Sequence, residues 1–298
     1  MPENSTPIVS ILIPAYNAAF FGAALKSAVS QLFARIEIVV CDDSEGSEIE
    51  EIVRAAGDSR VRYVRNSRRL GFHGNFARCF ELARGRYIKF LNDDDLLHPS
   101  CIASMVQAFE TCAPQISLVT SRRLIINQKS EVMKDIPATV PLASRDTRYA
   151  GLKLGNHVLE HSSNQIGEPT TVMFRKPDIS LNGDTLFRID ERSYTCLADL
   201  CLWLRLLARG DAIYLAQPLS YFRRHANQLQ NSPEVEARCM VERLYLPADA
   251  RSLGFLSDEA AFRGAIEFAK DLIHTMQQRP DTDEAALRLY DEALLTVR

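Results

Sequence analysis

From Ile8 to Phe109 short β-branched and aliphatic runs alternate with longer stretches of helical apolar spacing, a pattern that predicts βαβ units on a mainly parallel sheet. The apolar runs predict strands over residues 9–13, 37–41, 61–64, 87–91 and 117–120. The 3.6-residue spacing between them predicts helices over 18–32, 48–55, 75–83 and 99–110. Gly85 closes the third of these helices, and Pro99 sits in the first turn of the fourth, where its missing N–H is no loss.

Beyond that array the pattern weakens. Residues 125–168, broken by Pro137 and Pro141, predict loops and a short hairpin. A strand over 171–174, an amphipathic helix over 199–209 and two short strands over 212–215 and 220–222 follow. After Ser232 the chain reads as helix over 233–244, 257–277 and 283–296. There is no internal repeat and no low-complexity linker.

The chemistry concentrates where predicted strands end. Pro14-Ala15-Tyr16-Asn17 follows the first strand, Asp42 and Asp43 the second, and Asp93, Asp94 and Asp95 the strand that ends at Leu91. In an open parallel sheet, ligands bind in the crevice at the carboxyl ends of the strands, so all three segments are expected to face one cleft. Three adjacent carboxylates repel one another, and a hard divalent cation, Mg²⁺ or Mn²⁺, is their natural partner, held by one or two carboxylates plus substrate phosphates. The competing structural reading makes the acidic cluster a helix cap, the Asp42-Asp43-Ser44 segment a turn, and Tyr16 a packed aromatic.

Composition acts by exclusion. At 46% hydrophobic, 24% charged and a formal net charge of -3, the chain is ordinary for a globular protein, and its basic residues, scattered or in short groups such as Arg65, Arg68 and Arg69, make no nucleic-acid footprint. Seven cysteines with no CxxC pair and an odd count predict reduced, mostly buried thiols and a cytoplasmic setting. Residues 1–7 are polar, and no stretch approaches the roughly 18 apolar residues of a membrane helix, so neither a secretory leader nor a transmembrane segment is predicted.

The stretch from Val9 to Asn17, the Ile38–Ser44 stretch with its Asp-Asp pair, and the run from Gly85 to Asp95 together resemble family 2 of the glycosyltransferases. The likeness continues more loosely through Gly167–Phe174, Ala198–Arg205 and Tyr221–His225, covering roughly residues 8 to 228. It implies a GT-A fold, a Rossmann-like mainly parallel sheet flanked by helices, with residues 1–232 as the transferase domain. In that domain 1–110 would be the nucleotide-binding half and 111–232 the acceptor-binding half. Residues 233–298 would be a C-terminal helical extension.

The resemblance also implies roles. Tyr16, in the Pro14, Ala15, Asn17 segment, would stack on the nucleotide base, and Asp43 would accept a hydrogen from it, which suits uracil or thymine. Asn75, Asn92 and Asp93 complete the nucleotide-sugar site, with Asp93 near the ribose and phosphates. Asp94 is the expected metal ligand, with Asp95 and His225 beside it. Many members carry Asp where Asn92 stands. Asp199, at the head of a helix, would be the catalytic base; Ala198 replaces the Glu that commonly precedes it.

The implied reaction moves a sugar from a nucleotide diphosphate sugar, UDP- or dTDP-linked, to a hydroxyl of a glycan, glycolipid or small molecule, with inversion at the anomeric carbon. Bacterial cell-surface glycan or glycolipid synthesis is the family's usual setting. The amphipathic C-terminal helices are expected to pack on the core, with a homodimer through them or attachment at the inner membrane face as the alternatives. A Mg²⁺-dependent phosphotransferase fits less well, because the first strand ends without an acid, and a nicotinamide enzyme lacks GxGxxG after that strand. From another class, Asn92 and Ala198 are compatible with an inactive nucleotide-sugar-binding or scaffold subunit that kept the fold.

Overall fold

The computed structural model describes residues 6–111, 115–183, 185–226, 228, 233–280 and 282–296. The chain opens with β1 (Val9–Ala15), α1 (Ala18–Val29), β2 (Ile36–Asp42), α2 (Glu48–Ala56), β3 (Val61–Arg65), α3 (Gly71–Leu82) and β4 (Tyr87–Phe90). A two-residue β5 (Leu96–Leu97), α4 (Cys101–Thr111) and a long β6 (Ile116–Ile126) come next. Then follow β7 (Thr147–Tyr149), α5 (Gly151–His161), β8 (Met173–Arg175), the hairpin β9 (Arg188–Ile189) and β10 (Arg192–Ser193), α6 (Ala198–Leu207) and β11 (Asp211–Arg223). Helices α7 (Pro233–Ala250), α8 (Glu259–Gln277) and α9 (Glu284–Thr296) complete the described chain.

The sheet runs β3-β2-β1-β4-β8-β6-β11-β5, with β7 also paired to β11. Strands β3, β2, β1 and β4 are parallel, and so are β6 and β11; β8 lies antiparallel between β4 and β6. This is the mixed α/β architecture expected from the sequence. The strands alternate their side chains between two cores, as the pleat requires. Ile11 and Ile13 pack with Phe21 and Leu25 of α1 and Ile102 and Met105 of α4, whereas Leu12 and Val39 pack with Phe76 of α3 and Trp203 of α6. Gly85 lets β4 approach β1: its amide donates to Ser10 Oγ at 2.8 Å, and a Cβ there would stand 2.5 Å from the Ser10 nitrogen.

Because β1 pairs with β2 on one side and β4 on the other, the strand order switches at β1. The carboxyl ends of those three strands therefore bound the crevice where the acidic segments lie.

Several elements differ from the sequence reading. Helix α5 stands inside the region expected to be loops, although the expected turn forms where Asn127 N donates to Glu131 O at 3.0 Å. The apolar face of α5 is present, with Leu154, Val158 and Leu159 buried, but Gly151 and Gly155 lower the helical signal. The two short strands expected over 212–222 form one strand, β11, with irregular register around Pro218, which breaks the pattern locally. The expectation of reduced cysteines holds for Cys41, Cys79, Cys101 and Cys201, which are free and buried, and fails for Cys196 and Cys239, which form a disulfide with their Cα atoms 5.2 Å apart. Their 43-residue separation hid the pairing, which only the packing of α7 beside the approach to α6 creates. Cys112 and the boundary expected at residue 232 lie outside the described residues. Among the described residues, no helix is long and apolar enough to cross a membrane.

Candidate active site

The first acidic pair divides its work. Asp42, the last residue of β2, is fully buried and accepts from Tyr63 Oη at 2.7 Å and the Ser44 amide at 2.9 Å. Asp43 faces the loop ahead of α3. Its carboxylate accepts from the Leu70 and Gly71 amides, each at 2.8 Å, and from Asn66 Nδ2 at 2.9 Å. Asn75, buried on α3, ties the crevice together by donating to the Ala15 and Cys41 carbonyls at 3.2 and 3.1 Å. The Tyr16 ring stands exposed at the end of β1, with the Arg69 guanidinium 4.6 Å from its centroid. Asn17 caps α1 through the Ala19 amide.

The Asp93–Asp95 triplet splits three ways. Asp93 turns to β1, its carboxylate accepting from the Tyr16 and Asn17 amides at 2.7 Å each; burial pushes its pKa up to about 6 against the pull of those two bonds. Asp95 turns inward. It is fully buried and accepts from the Arg223 amide at 2.9 Å, Thr170 Oγ1 at 2.7 Å and Asn92 Nδ2 at 3.2 Å, and burial together with the Asp94 charge raises its pKa. The role expected for Asp95 beside a metal therefore competes with its use as an anchor for β11. Asp94 stays partly exposed, with its Oδ2 at 3.1 Å from His225 Nε2.

Asp94 and His225 are thus the metal-type side chains that the fold brings together. Among the described residues no group of three or more His, Cys, Asp or Glu converges on one point, so a cation bound here would need substrate oxygens to complete its shell. The Asp94 carboxylate is a donor of the type that suits Mg²⁺ or Mn²⁺, and an imidazole beside it favours Mn²⁺ of the two. Beside them, Arg223 donates to the Asp94 carbonyl at 2.7 Å and lies over the Phe20 ring, with its Nη2 buried and unpartnered. A cleft of about 510 Å³ opens next to His225, lined by Asn127, Lys129, Glu131, Met133 and Arg224 among others. A larger hollow of about 810 Å³ lies at the opposite, amino end of β1 and β4, between Ile8, Arg35, Gly85 and Lys176, away from this chemistry.

Asp199 occupies the first turn of α6, partly buried. It accepts from Asn164 Nδ2 at 2.6 Å and from the Leu200 amide at 2.7 Å. Burial pushes its pKa up to about 7; the Leu200 bond opposes that rise, nearby Glu168 adds to it, and Arg123 opposes it. Arg123 meets Glu168 at 2.8 Å and also holds the Asn164 carbonyl, so the segment from Asn164 onward is rigidly placed. That segment ends at Thr170, which bonds both Asp95 and the Asn92 amide. One short stretch, 164–170, therefore touches the base candidate at one end and the acidic turn at the other.

The sequence profile of glycosyl transferase family 2 matches residues 10–179, more than half the chain. The chain belongs to that family. An uncharacterized protein of Mycobacterium tuberculosis (strain CDC 1551 / Oshkosh) is 33% identical over 229 residues, 74% of this chain and 67% of the relative. The Escherichia coli UDP-Glc:alpha-D-GlcNAc-diphosphoundecaprenol beta-1,3-glucosyltransferase WfaP is 36% identical over 105 residues, which is 35% of this chain and 42% of that enzyme. Among solved structures, S. aureus TarS 1–349 in complex with UDP-GlcNAc superposes with a TM-score of 0.65 over 96% of this chain and 79% of that one. Its identity is 14%, so the likeness is one of fold.

Several residues of the site carried no signal of their own. Asn164 and Arg123 lie in irregular or strand sequence and matter only through what they touch. Arg69 was one member of a basic group, and Thr170 and Arg223 lay inside motifs without an assigned role.

Proposed function

We propose that this family 2 transferase is an inverting enzyme that moves a sugar from a UDP- or dTDP-sugar to a hydroxyl acceptor of a bacterial cell-surface glycan or glycolipid. The observation that carries the reading is Asp199: a partly buried carboxylate at a helix start with its pKa pushed up to about 7, tied through residues 164–170 to the acidic turn. A base poised near neutrality suits deprotonation of a hydroxyl. The reading draws further support from WfaP, which uses a UDP-linked sugar, and from the UDP-GlcNAc complex of TarS.

In this reading Tyr16 stacks on the base, opposite or in exchange with Arg69. Asp43 uses three of its roughly four acceptor positions on Asn66, Leu70 and Gly71, which leaves one for a base N–H. Asp94 and His225 would hold Mg²⁺ or Mn²⁺. When bound, such a cation offsets the charge that the leaving diphosphate gains. Asp199 takes the proton of the acceptor hydroxyl as that oxygen attacks the anomeric carbon from the face opposite the diphosphate, so the centre inverts without an enzyme nucleophile.

Calorimetry of UDP with Mn²⁺ and with EDTA tests the nucleotide and metal parts. Tighter binding with Mn²⁺ is expected, and equal affinities would remove the metal. Turnover of UDP-glucose, UDP-N-acetylglucosamine and dTDP-glucose, with the product anomer read by NMR, tests the reaction; binding without turnover of any of them would favour the inactive subunit.

A further inference from the structure

Two segments fix the Asp199 carboxylate: the turn after α5, which carries Asn164, and residues 195–197, which lead into α6. Both are held by one face of α7. Cys239, Glu242 and Arg243 are spaced i, i+3 and i+4 on that helix and so share a side. Glu242, buried, accepts from three consecutive amides: Thr195 and Cys196 at 2.9 Å and Leu197 at 2.7 Å. Leu197 stands at the N-cap of α6 and makes no side-chain cap, and its amide and the two before it find their acceptor on α7 instead. Arg243 donates to the Ser162 carbonyl and to Ser162 Oγ at 2.7 Å, pinning the left-handed residue from which the Asn164 turn departs. Cys239 is joined to Cys196 between these two grips.

We infer that α7 is the positioning element of the catalytic carboxylate, with Glu242 and Arg243 as positioning residues for Asp199 and the Cys196–Cys239 disulfide fastening them to the entry of α6. The helices beyond residue 232 are then part of the transferase machinery. The inference rests on Asp199 being the base. A carboxylate shared by three amides is a charge-assisted anchor that an amide side chain cannot reproduce, since Gln offers a single acceptor oxygen. A displacement of about 1 Å at the base is enough to lower turnover by ~100-fold.

The test reads Asp199 directly. In the full chain, the Asp199 carboxyl is titrated by ¹³C NMR and assigned with Asp199→Asn. The charged and titratable groups facing it are Glu168, Arg123, Cys201 and Arg243. Arg243→Gln removes a cation from this set as well as the grip on Ser162; the lost charge alone moves the midpoint upward, so its positioning role is read from donor turnover, which should fall ~10-fold with UDP affinity within twofold. Glu242→Gln, by loosening the helix entry and admitting water, should move it downward and lower donor turnover ~10- to 100-fold with UDP affinity within twofold. Cys239→Ser, which leaves both polar grips in place, should give a smaller shift in the same direction as Glu242→Gln. An unmoved midpoint in Glu242→Gln or undiminished turnover in Arg243→Gln would overturn the inference, as would loss of UDP affinity in step with turnover, the mark of general unfolding. Asp199→Asn separates the two levels. If it keeps turnover, the base assignment fails; if it loses turnover while the α7 variants keep their rate, only the positioning role fails.

Discussion

Asp199→Asn should split activity from stability in opposite directions. Asn cannot take a proton, so kcat should fall by ~10²- to 10⁴-fold, the worth of a positioned general base. Stability should move the other way at alkaline pH. Burial raises the Asp199 pKa from 3.8 to about 7, so the folded state binds this proton more tightly than the unfolded one. The wild-type protein therefore loses stability as pH rises through that window, and the loss is complete above it. At about 1.36 kcal/mol per tenfold in proton affinity, the full penalty has a ceiling of ~4 kcal/mol. Asp199 is only partly buried, so solvent screening brings this nearer ~2 kcal/mol. Asn has one acceptor oxygen for the two donors, Asn164 Nδ2 and the Leu200 amide, and the lost hydrogen bond returns ~1 kcal/mol. The net expectation above pH 7 is a gain of ~1 kcal/mol, or about 2 °C in Tm for a chain of this size. The gain should shrink and reverse toward pH 4, where the wild-type carboxyl is neutral. Thermal melts at pH 8.5 and 4.5, beside kcat at saturating donor, measure both. Near-normal kcat with Tm little changed at both pH values would refute the base and leave Asp199 a helix-start carboxylate, since Asn caps a helix about as well as Asp, and would move the search to Glu168, which lies near Asp199, or to Glu191 in the β9–β10 hairpin.

Asp94→Ala should abolish cation-dependent turnover with Tm unchanged or raised, because the Asp94 charge works against ionised Asp93 and Asp95; a badly unfolded variant, insensitive to metal, would restore the cap reading of the cluster. Gly85→Ala should lower stability by ~1–3 kcal/mol, since a Cβ there runs into the Ser10 backbone of β1; an unchanged Tm would mean that β4 shifts freely.

The sequence by itself determined the layered α/β array and the order of its chemistry. Apolar runs of period two and stretches of period 3.6 are local properties, and the strands of residues 9–91 form close to where they predict. The motifs at the ends of β1, β2 and β4 were legible because strand ends in a parallel sheet converge whatever the loops do. The tertiary structure decided which carboxylate does what. Asp93, Asp94 and Asp95 are equivalent in sequence, yet one holds the β1 turn, one stays open beside His225, and one is buried under β11. It also decided that α7 holds the residues entering α6 and the turn after α5. Contacts such as Glu242 to Leu197 join positions 45 residues apart that no local period connects, because they exist only once the helices pack. Helix α5 went unread for the opposite reason. Its signal was local but weakened by the glycines at 151 and 155, and the second of these is required by the Phe255 ring that packs against it in the folded chain.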